Sequence, residues 1–200
     1  MTQTLQPSTC QRPVVLVHGL WNTVDIFWRL RSHLAQFNRP VYGLSMAPNN
    51  GDIGIDEQAH QLKAYIESAL PPEQSFDLVG FSMGGLVSRY YLQRLNGLNR
   101  VQRFVTIATP HYGSAMAWGR WNIGGRQLRP GSKFLRDLNQ DLYTLESLNI
   151  TTIWTPWDLL VVPATSCRLP IGTPRRVLTP SHNSLLTQPA ALEAISSALS

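Results

Sequence analysis

Cysteine is scarce in this 200-residue chain, occurring only at Cys10 and Cys167. Two cysteines so far apart exclude a disulfide-built scaffold and fit no metal-ligand or redox spacing. Both are expected to be free thiols in a reducing compartment, with a single bridge pinning the N-terminus as the alternative. Long apolar runs are also missing. None approaches the ~20 residues that a spanning helix needs. The start, Met1-Thr2-Gln3-Thr4-Leu5-Gln6-Pro7-Ser8, has neither a basic cluster nor an apolar stretch, so it does not read as a secretory signal. A cytoplasmic location is the expectation, with peripheral membrane contact left open. Charge is sparse at 14%, without a block of one sign, and there is no repeat or low-complexity tract. The 17 basic against 12 acidic residues leave a net charge of +5, but no basic stripe interleaved with aromatics. Nucleic acid is therefore not an expected partner, whereas an anionic surface is compatible with the charge. No cofactor and no metal is implied.

An apolar content of 43% over this length is enough for one sizeable core. Short apolar runs near Val14–Val17, Val41–Leu44, Phe76–Val79, Val101–Ile107, Thr151–Trp154 and Arg176–Leu178 read as strands. Between them lie helical patterns near Phe27–Phe37, Ile55–Leu70, Leu86–Leu95, Phe134–Leu148 and Pro189–Leu199. Ile55, Ala59, Leu62, Ile66 and Leu70 make one apolar face, which Pro71-Pro72 terminates. Apolar strands alternating with amphipathic helices predict an α/β fold, a mostly parallel sheet of about six strands with helices on both faces. Residues 1–12 read as an N-terminal extension and 13–200 as one domain.

Gly80-Phe81-Ser82-Met83-Gly84 stands between the apolar run Phe76–Val79 and a helical stretch. A serine on a sharp strand-to-helix turn needs small neighbours, because its backbone is strained and the two elements approach closely. Gly80, Gly84 and Gly85 meet that need. A serine hydroxyl is a poor nucleophile at neutral pH, so it requires a base and a group that orients the base. His33 and His60 fall in helical patterns and read as solvated-face residues. With the order serine, acid, base expected of such a turn, only His111 and His182 lie late enough, and His111 leaves too little room for an intervening acid. His182 is the candidate base. Asp137, Asp141 and Glu146 sit on the outer face of a pattern whose apolar positions are Leu135, Leu138, Leu142, Leu145 and Leu148. Asp158 instead follows the strand-like run Ile150–Trp154 amid apolar residues, where an unpaired carboxylate is costly. It is the candidate acid, a surface turn aspartate being the alternative.

An oxyanion formed at Ser82 would need two backbone donors. The Met83 amide, at a helix start, is one. The buried run Pro13–Val17 ends in His18-Gly19-Leu20-Trp21, and the Leu20 amide is the second, with Trp21 as fallback. His18 is expected to hold that loop by a hydrogen bond. Residues 112–130 show no period of either kind and mix Trp118, Trp121, Met116 and Ile123 with Arg120, Arg126 and Arg129. The segment reads as a lid or interface loop, or equally as a satellite cluster with a solvated rim.

The segments Leu16-Val17-His18-Gly19-Leu20, Gly80-Phe81-Ser82-Met83-Gly84-Gly85, Ala108-Thr109-Pro110-His111-Tyr112-Gly113-Ser114, Gly131-Ser132-Lys133-Phe134-Leu135, Asp158 with Val161-Val162-Pro163, and His182-Asn183-Ser184-Leu185-Leu186 together resemble the α/β-hydrolase superfamily. Within it the likeness is to small bacterial lipases and esterases, running from about Pro13 to the C-terminus. The Thr109–Ser114 segment is similar to that of triacylglycerol lipases. The resemblance implies a serine ester hydrolase acting on lipid-type acyl esters. It carries the roles of nucleophile, acid, base and oxyanion donors onto Ser82, Asp158, His182, Met83 and Leu20. A thioesterase or acyltransferase on the same residues, and a non-catalytic scaffold that binds a ligand or partner, are the alternatives. Substrate-binding residues cannot be assigned at this level.

Overall fold

Six strands form one sheet in the order β2-β1-β3-β4-β5-β6, and every neighbouring pair runs parallel. They are β1 (Val14–Val17), β2 (Val41–Leu44), β3 (Phe76–Phe81), β4 (Val101–Ile107), β5 (Asn149–Trp154) and β6 (Thr173–Arg176). This is a computed structural model that describes residues 11–200. The expected pairing state of Cys10 and most of the N-terminal extension lie outside them. The helices are α1 (Trp28–Ala35), α2 (Ile55–Ala69), α3 (Met83–Arg94), α4 (Ile123–Gln127), α5 (Lys133–Gln140) and α6 (Pro189–Leu199).

Alternation along the central strands divides the core in two. Val15, Val17 and Leu78 face one side and pack with Ile55, Leu62 and Ile66 of α2 and with Leu86 and Val87 of α3. Val14, Leu16, Val79 and Phe81 face the other side and pack with Leu30 and Leu34 of α1 and with Leu192 and Ile195 of α6. Both faces are covered, so β1 is apolar throughout and β3 is apolar except at Asp77 and Gly80. Among the described residues no helix is long and apolar enough to cross a membrane.

The structure departs from the sequence expectation in three places, each with a physical reason. The last strand is Thr173–Arg176, three residues before the apolar run Arg176–Leu178. It pairs only with β5 at the sheet edge, so it needs no apolar face and tolerates Pro174. Leu178 is left exposed. The pattern from Phe134 to Leu148 is two elements: α5 ends at Gln140, and Leu142–Ser147 forms a 3₁₀ turn. Leu142, Leu145 and Leu148 are spaced by three, the period of a 3₁₀ helix. Arg94 anchors the break through Asp141 at 2.6 Å. The stretch before α1 is likewise a 3₁₀ turn, Val24–Phe27, capped by the Thr23 side chain.

At the amino-terminal edge of the sheet, the fully buried Asp77 accepts bonds from Arg12 at 3.2 Å and from Arg39. Arg39 also donates to the Leu199 carbonyl at 2.5 Å, tying α6 to β3. That ionic cluster is at the end of β3 remote from Ser82.

Candidate active site

Ser82 lies between the last residue of β3 and the first of α3, with φ 54° and ψ −126°. A non-glycine residue in that region stores about 1–3 kcal/mol of strain, which the surrounding structure must hold. The tight approach explains the glycines. A Cβ on Gly80 would stand 2.5 Å from the Gly85 Cα, and one on Gly84 would stand 2.2 Å from the Val17 carbonyl oxygen. The Ser82 amide donates to the Ile107 carbonyl at 2.8 Å, fixing the turn to β4.

Asp158 follows β5, and its side chain is fully buried. Its Oδ1 accepts from the Leu160 and Val161 amides, both at 2.9 Å. Its Oδ2 lies 2.6 Å from His182 Nδ1. A carboxylate with three such donors is satisfied, so its burial is tolerated. The ionised carboxylate has no proton to give, so Nδ1–H is the donor and Nε2 is left as an acceptor. The His182 ring also rests on Phe81, with centroids 4.8 Å apart. Phe81 precedes Ser82, and Ser82 and His182 both line one cavity of about 520 Å³.

Leu20 and Met83 line the same cavity. Met83 is the first residue of α3, so its N–H has no helical acceptor. Leu20 is oriented by the histidine before it. Met46 N–H donates to His18 Nε2 at 2.8 Å, so the proton sits on Nδ1 and is donated to the Gly19 carbonyl at 2.9 Å. Burial lowers the His18 pKa, outweighing that backbone bond, and keeps the ring neutral. A trans peptide sets its C=O and N–H on opposite sides. With the Gly19 carbonyl drawn toward His18, the Leu20 N–H turns the other way and finds no acceptor among the described residues. The fallback donor is occupied, because the Trp21 amide donates to the Asn49 carbonyl at 2.7 Å.

The other histidines separate as their surroundings dictate. His60 is exposed, and His33 contacts Ser196 Oγ at 3.2 Å on the α1–α6 side. His111 is fully buried against Thr106 Oγ1 at 3.0 Å. Burial, and to a lesser degree the nearby Arg89, push its pKa well below the usual value. Asp137 and Asp141 are engaged by Arg94 on the outside of α3 and α5. Cys167 is a buried free thiol, pushed up by burial and by nearby Asp158. No group of three or more metal-ligating side chains occurs among the described residues.

Residues 112–130 contain a 3₁₀ turn, Ala115–Gly119, and the short α4. They supply a wall of the cavity through Ser114, Met116, Ala117 and Arg120. Several of their bonds go to the loop before α2 and to its first residue. Arg120 Nη2 and Asn122 Nδ2 donate to the Asn50 carbonyl at 2.6 and 2.9 Å, and the Gly124 amide donates to Gly51 at 2.8 Å. Gln127 bonds the Ile55 amide at 2.6 Å. Ser114 has no role assigned from sequence. Its Oγ donates to the Leu160 carbonyl at 2.8 Å and accepts from the Val162 amide at 3.0 Å, so it braces the loop that carries Asp158. Only its place in the Thr109–Ser114 segment hinted at it.

The model of a family described as the alpha/beta hydrolase fold matches residues 12–148. A triacylglycerol lipase of Pseudarthrobacter phenanthrenivorans is 35% identical over 113 residues, 52% of this chain and 35% of the lipase. Palmitoyl-protein thioesterase 3 of Dictyostelium discoideum is 29% identical over 90 residues, 42% of this chain and 31% of that protein. The chain thus spans about a third of the length of these curated relatives. The mature form of the Bacillus licheniformis lipase BlEst2 superposes with a TM-score of 0.79 at 17% identity, covering 98% of this chain and 94% of that one, which is a likeness of fold. With the sheet order, the strained serine turn and the family match over most of its length in agreement, the chain belongs to the α/β-hydrolase family.

Proposed function

We propose that the chain is a serine hydrolase of acyl esters, with Ser82 as nucleophile, His182 as base and Asp158 as the orienting acid. The observation that carries the reading is the 2.6 Å contact of Asp158 with His182, whose ring lines the same cavity as the strained Ser82. In the reaction, His182 Nε2 takes the Ser82 proton as Oγ bonds to the ester carbonyl carbon. The Leu20 and Met83 amides stabilise the resulting oxyanion. The carbon–oxygen bond to the alcohol then breaks, and His182 returns its proton to the leaving oxygen. Water attacks the acyl-enzyme by the same steps and frees Ser82.

Lipid-type esters are the proposed substrates, supported by the likeness to a triacylglycerol lipase and by the apolar cavity walls Phe81, Met116, Leu128 and Val161. The segment 112–130 acts as a fixed wall, since α4 and its flanks are bonded to residues 50–55. Trp118 and Trp121 on its outer side, 57% and 81% exposed, are proposed to rest on an anionic lipid surface. Arg129 lies over both indoles, at 4.9 and 5.5 Å, and Arg120 over Trp21 at 4.2 Å. Both are bonded to backbone carbonyls, which leaves Arg126 as the exposed cation for head groups. The similarity to a palmitoyl-protein thioesterase supports thioester cleavage as the second reading.

A fluorophosphonate, with matched oxygen esters and thioesters of rising chain length, tests these assignments. Labelling at Ser82 with faster ester than thioester turnover is expected. No labelling would leave a non-catalytic scaffold.

A further inference from the structure

Arg120 is the one arginine or lysine lining the cavity, and no aspartate or glutamate lines it. Its guanidinium lies over the Trp21 ring at 4.2 Å, and Nη2 donates to the Asn50 carbonyl at 2.6 Å. Among the described residues no carboxylate comes within ion-pair distance of it, and its Nε is sealed from solvent without an acceptor. A partly buried cation left without a counter-charge is unfavourable until an anion arrives. Stacking and one backbone bond hold the guanidinium in place beforehand, so little side-chain freedom is lost when it binds an oxyanion.

A neutral triester has no anion for Arg120, so its binding leaves the guanidinium without a counter-charge. An unpaired, partly buried cation discriminates against a ligand that cannot satisfy it.

We propose that this cavity selects acyl esters whose alcohol part carries a phosphate or carboxylate, with Arg120 as the anion-recognising residue. This rests on the hydrolase reading above and narrows its substrate class. The shared chemistry is an oxyanion near the reacting ester, as in a monoacyl glycerol phosphate or an acyl glycerate.

The test compares three soluble substrates: monobutyrin, butyrylglycerol phosphate and butyryl glycerate, followed by butyrate release. In the unaltered protein, kcat/KM for at least one anionic ester should exceed that for monobutyrin by about tenfold or more. Which one does so separates a phosphate from a carboxylate source. Arg120→Met should bring that ratio close to one, and Arg120→Lys should retain part of it. The ratio should also fall as sodium chloride rises to roughly 0.5 M, since salt screens a partly exposed cation. A ratio of one or less in the unaltered protein, or a ratio untouched by Arg120→Met, overturns the inference. If Arg120→Met does not fold, the lysine variant and the salt series decide the same question. Absent hydrolysis of all three esters, together with no fluorophosphonate labelling, would refute the hydrolase reading instead. Calorimetric binding of glycerol phosphate to the unaltered protein and to Arg120→Lys would then decide the anion site alone, with equal affinities counting against it.

Discussion

Replacing Asp158 in two ways separates its proposed catalytic part from its structural one. In Asp158→Asn, one side-chain oxygen remains. It keeps the two amide bonds from Leu160 and Val161 by occupying the Oδ1 place. The amide nitrogen then faces His182 Nδ1, where the native oxygen sits at 2.6 Å. Two donors cannot face each other, so the imidazole must carry its proton on Nε2 and can no longer act as a base. Turnover should fall on the order of 10⁴-fold, as in other triads of this kind. Stability should change less than on removal of the side chain, because the Leu160 and Val161 amides keep their acceptor. Asp158→Ala loses turnover too, but it strands the amides. Val161 is buried, so its N–H alone costs about 1–3 kcal/mol. Leu160 is largely exposed, so its amide can turn to water. At ~2–4 °C per kcal/mol for a chain of this size, Tm should drop roughly 2–12 °C. The assays are kcat/KM on a soluble short ester and thermal unfolding followed by circular dichroism. The reasoning fails if Asp158→Asn stays within tenfold of the unaltered protein, or if Asp158→Ala unfolds at the same temperature as Asp158→Asn.

Ser82→Ala should fold normally, since alanine meets the same backbone strain as serine, and should lose about 10⁴–10⁶ in turnover; covalent capture of a fluorophosphonate by this variant would move the nucleophile elsewhere. His18 and His111 both have folded pKa values below the ordinary 6.5. The unfolded chain therefore binds more protons in the window below 6.5, so their contribution to stability is complete above that pH and is lost as pH falls. Each adds a slope of up to about 1.4 kcal/mol per pH unit, and replacing His111 by asparagine should reduce the acid loss measured by Tm between pH 7 and 5. An unchanged slope would show that His111 takes up its proton in the folded protein as readily as in the unfolded chain. Trp118→Ala with Trp121→Ala should weaken binding to anionic vesicles much more than it slows a soluble ester, because neither indole lines the cavity. Loss of soluble-ester activity with vesicle binding intact would make them packing residues.

Local sequence carried the elements whose constraints are themselves local. Every position of β1 is buried on both faces, so Val14–Val17 could be nothing but an interior strand. The turn at Ser82 demands glycine at 80, where a Cβ would meet the backbone of Gly84 and Gly85, whereas Gly84 and Gly85 are held to glycine by the β1 backbone and the Thr109 side chain. Asp158 stood out because a carboxylate at a strand end among apolar residues must find a partner. That the partner is His182, 24 residues away, depends on β5 and the segment after β6 ending at the same edge of the sheet. Edge strand β6 was illegible because a strand with one neighbour is not forced to be apolar. The break at Asp141 was hidden because Arg94, on another helix, sets it. Residues 112–130 show no period because the segment is held partly by side-chain and backbone bonds to residues 50–55, about 70 positions earlier, and not by one regular helix or strand. Arg120 reads in the sequence as one arginine among several. Only the folding of its segment against Trp21 and Asn50 puts an unpaired cation on the wall of the cavity that contains Ser82, since stacking and backbone bonds across such separations leave no trace in local composition.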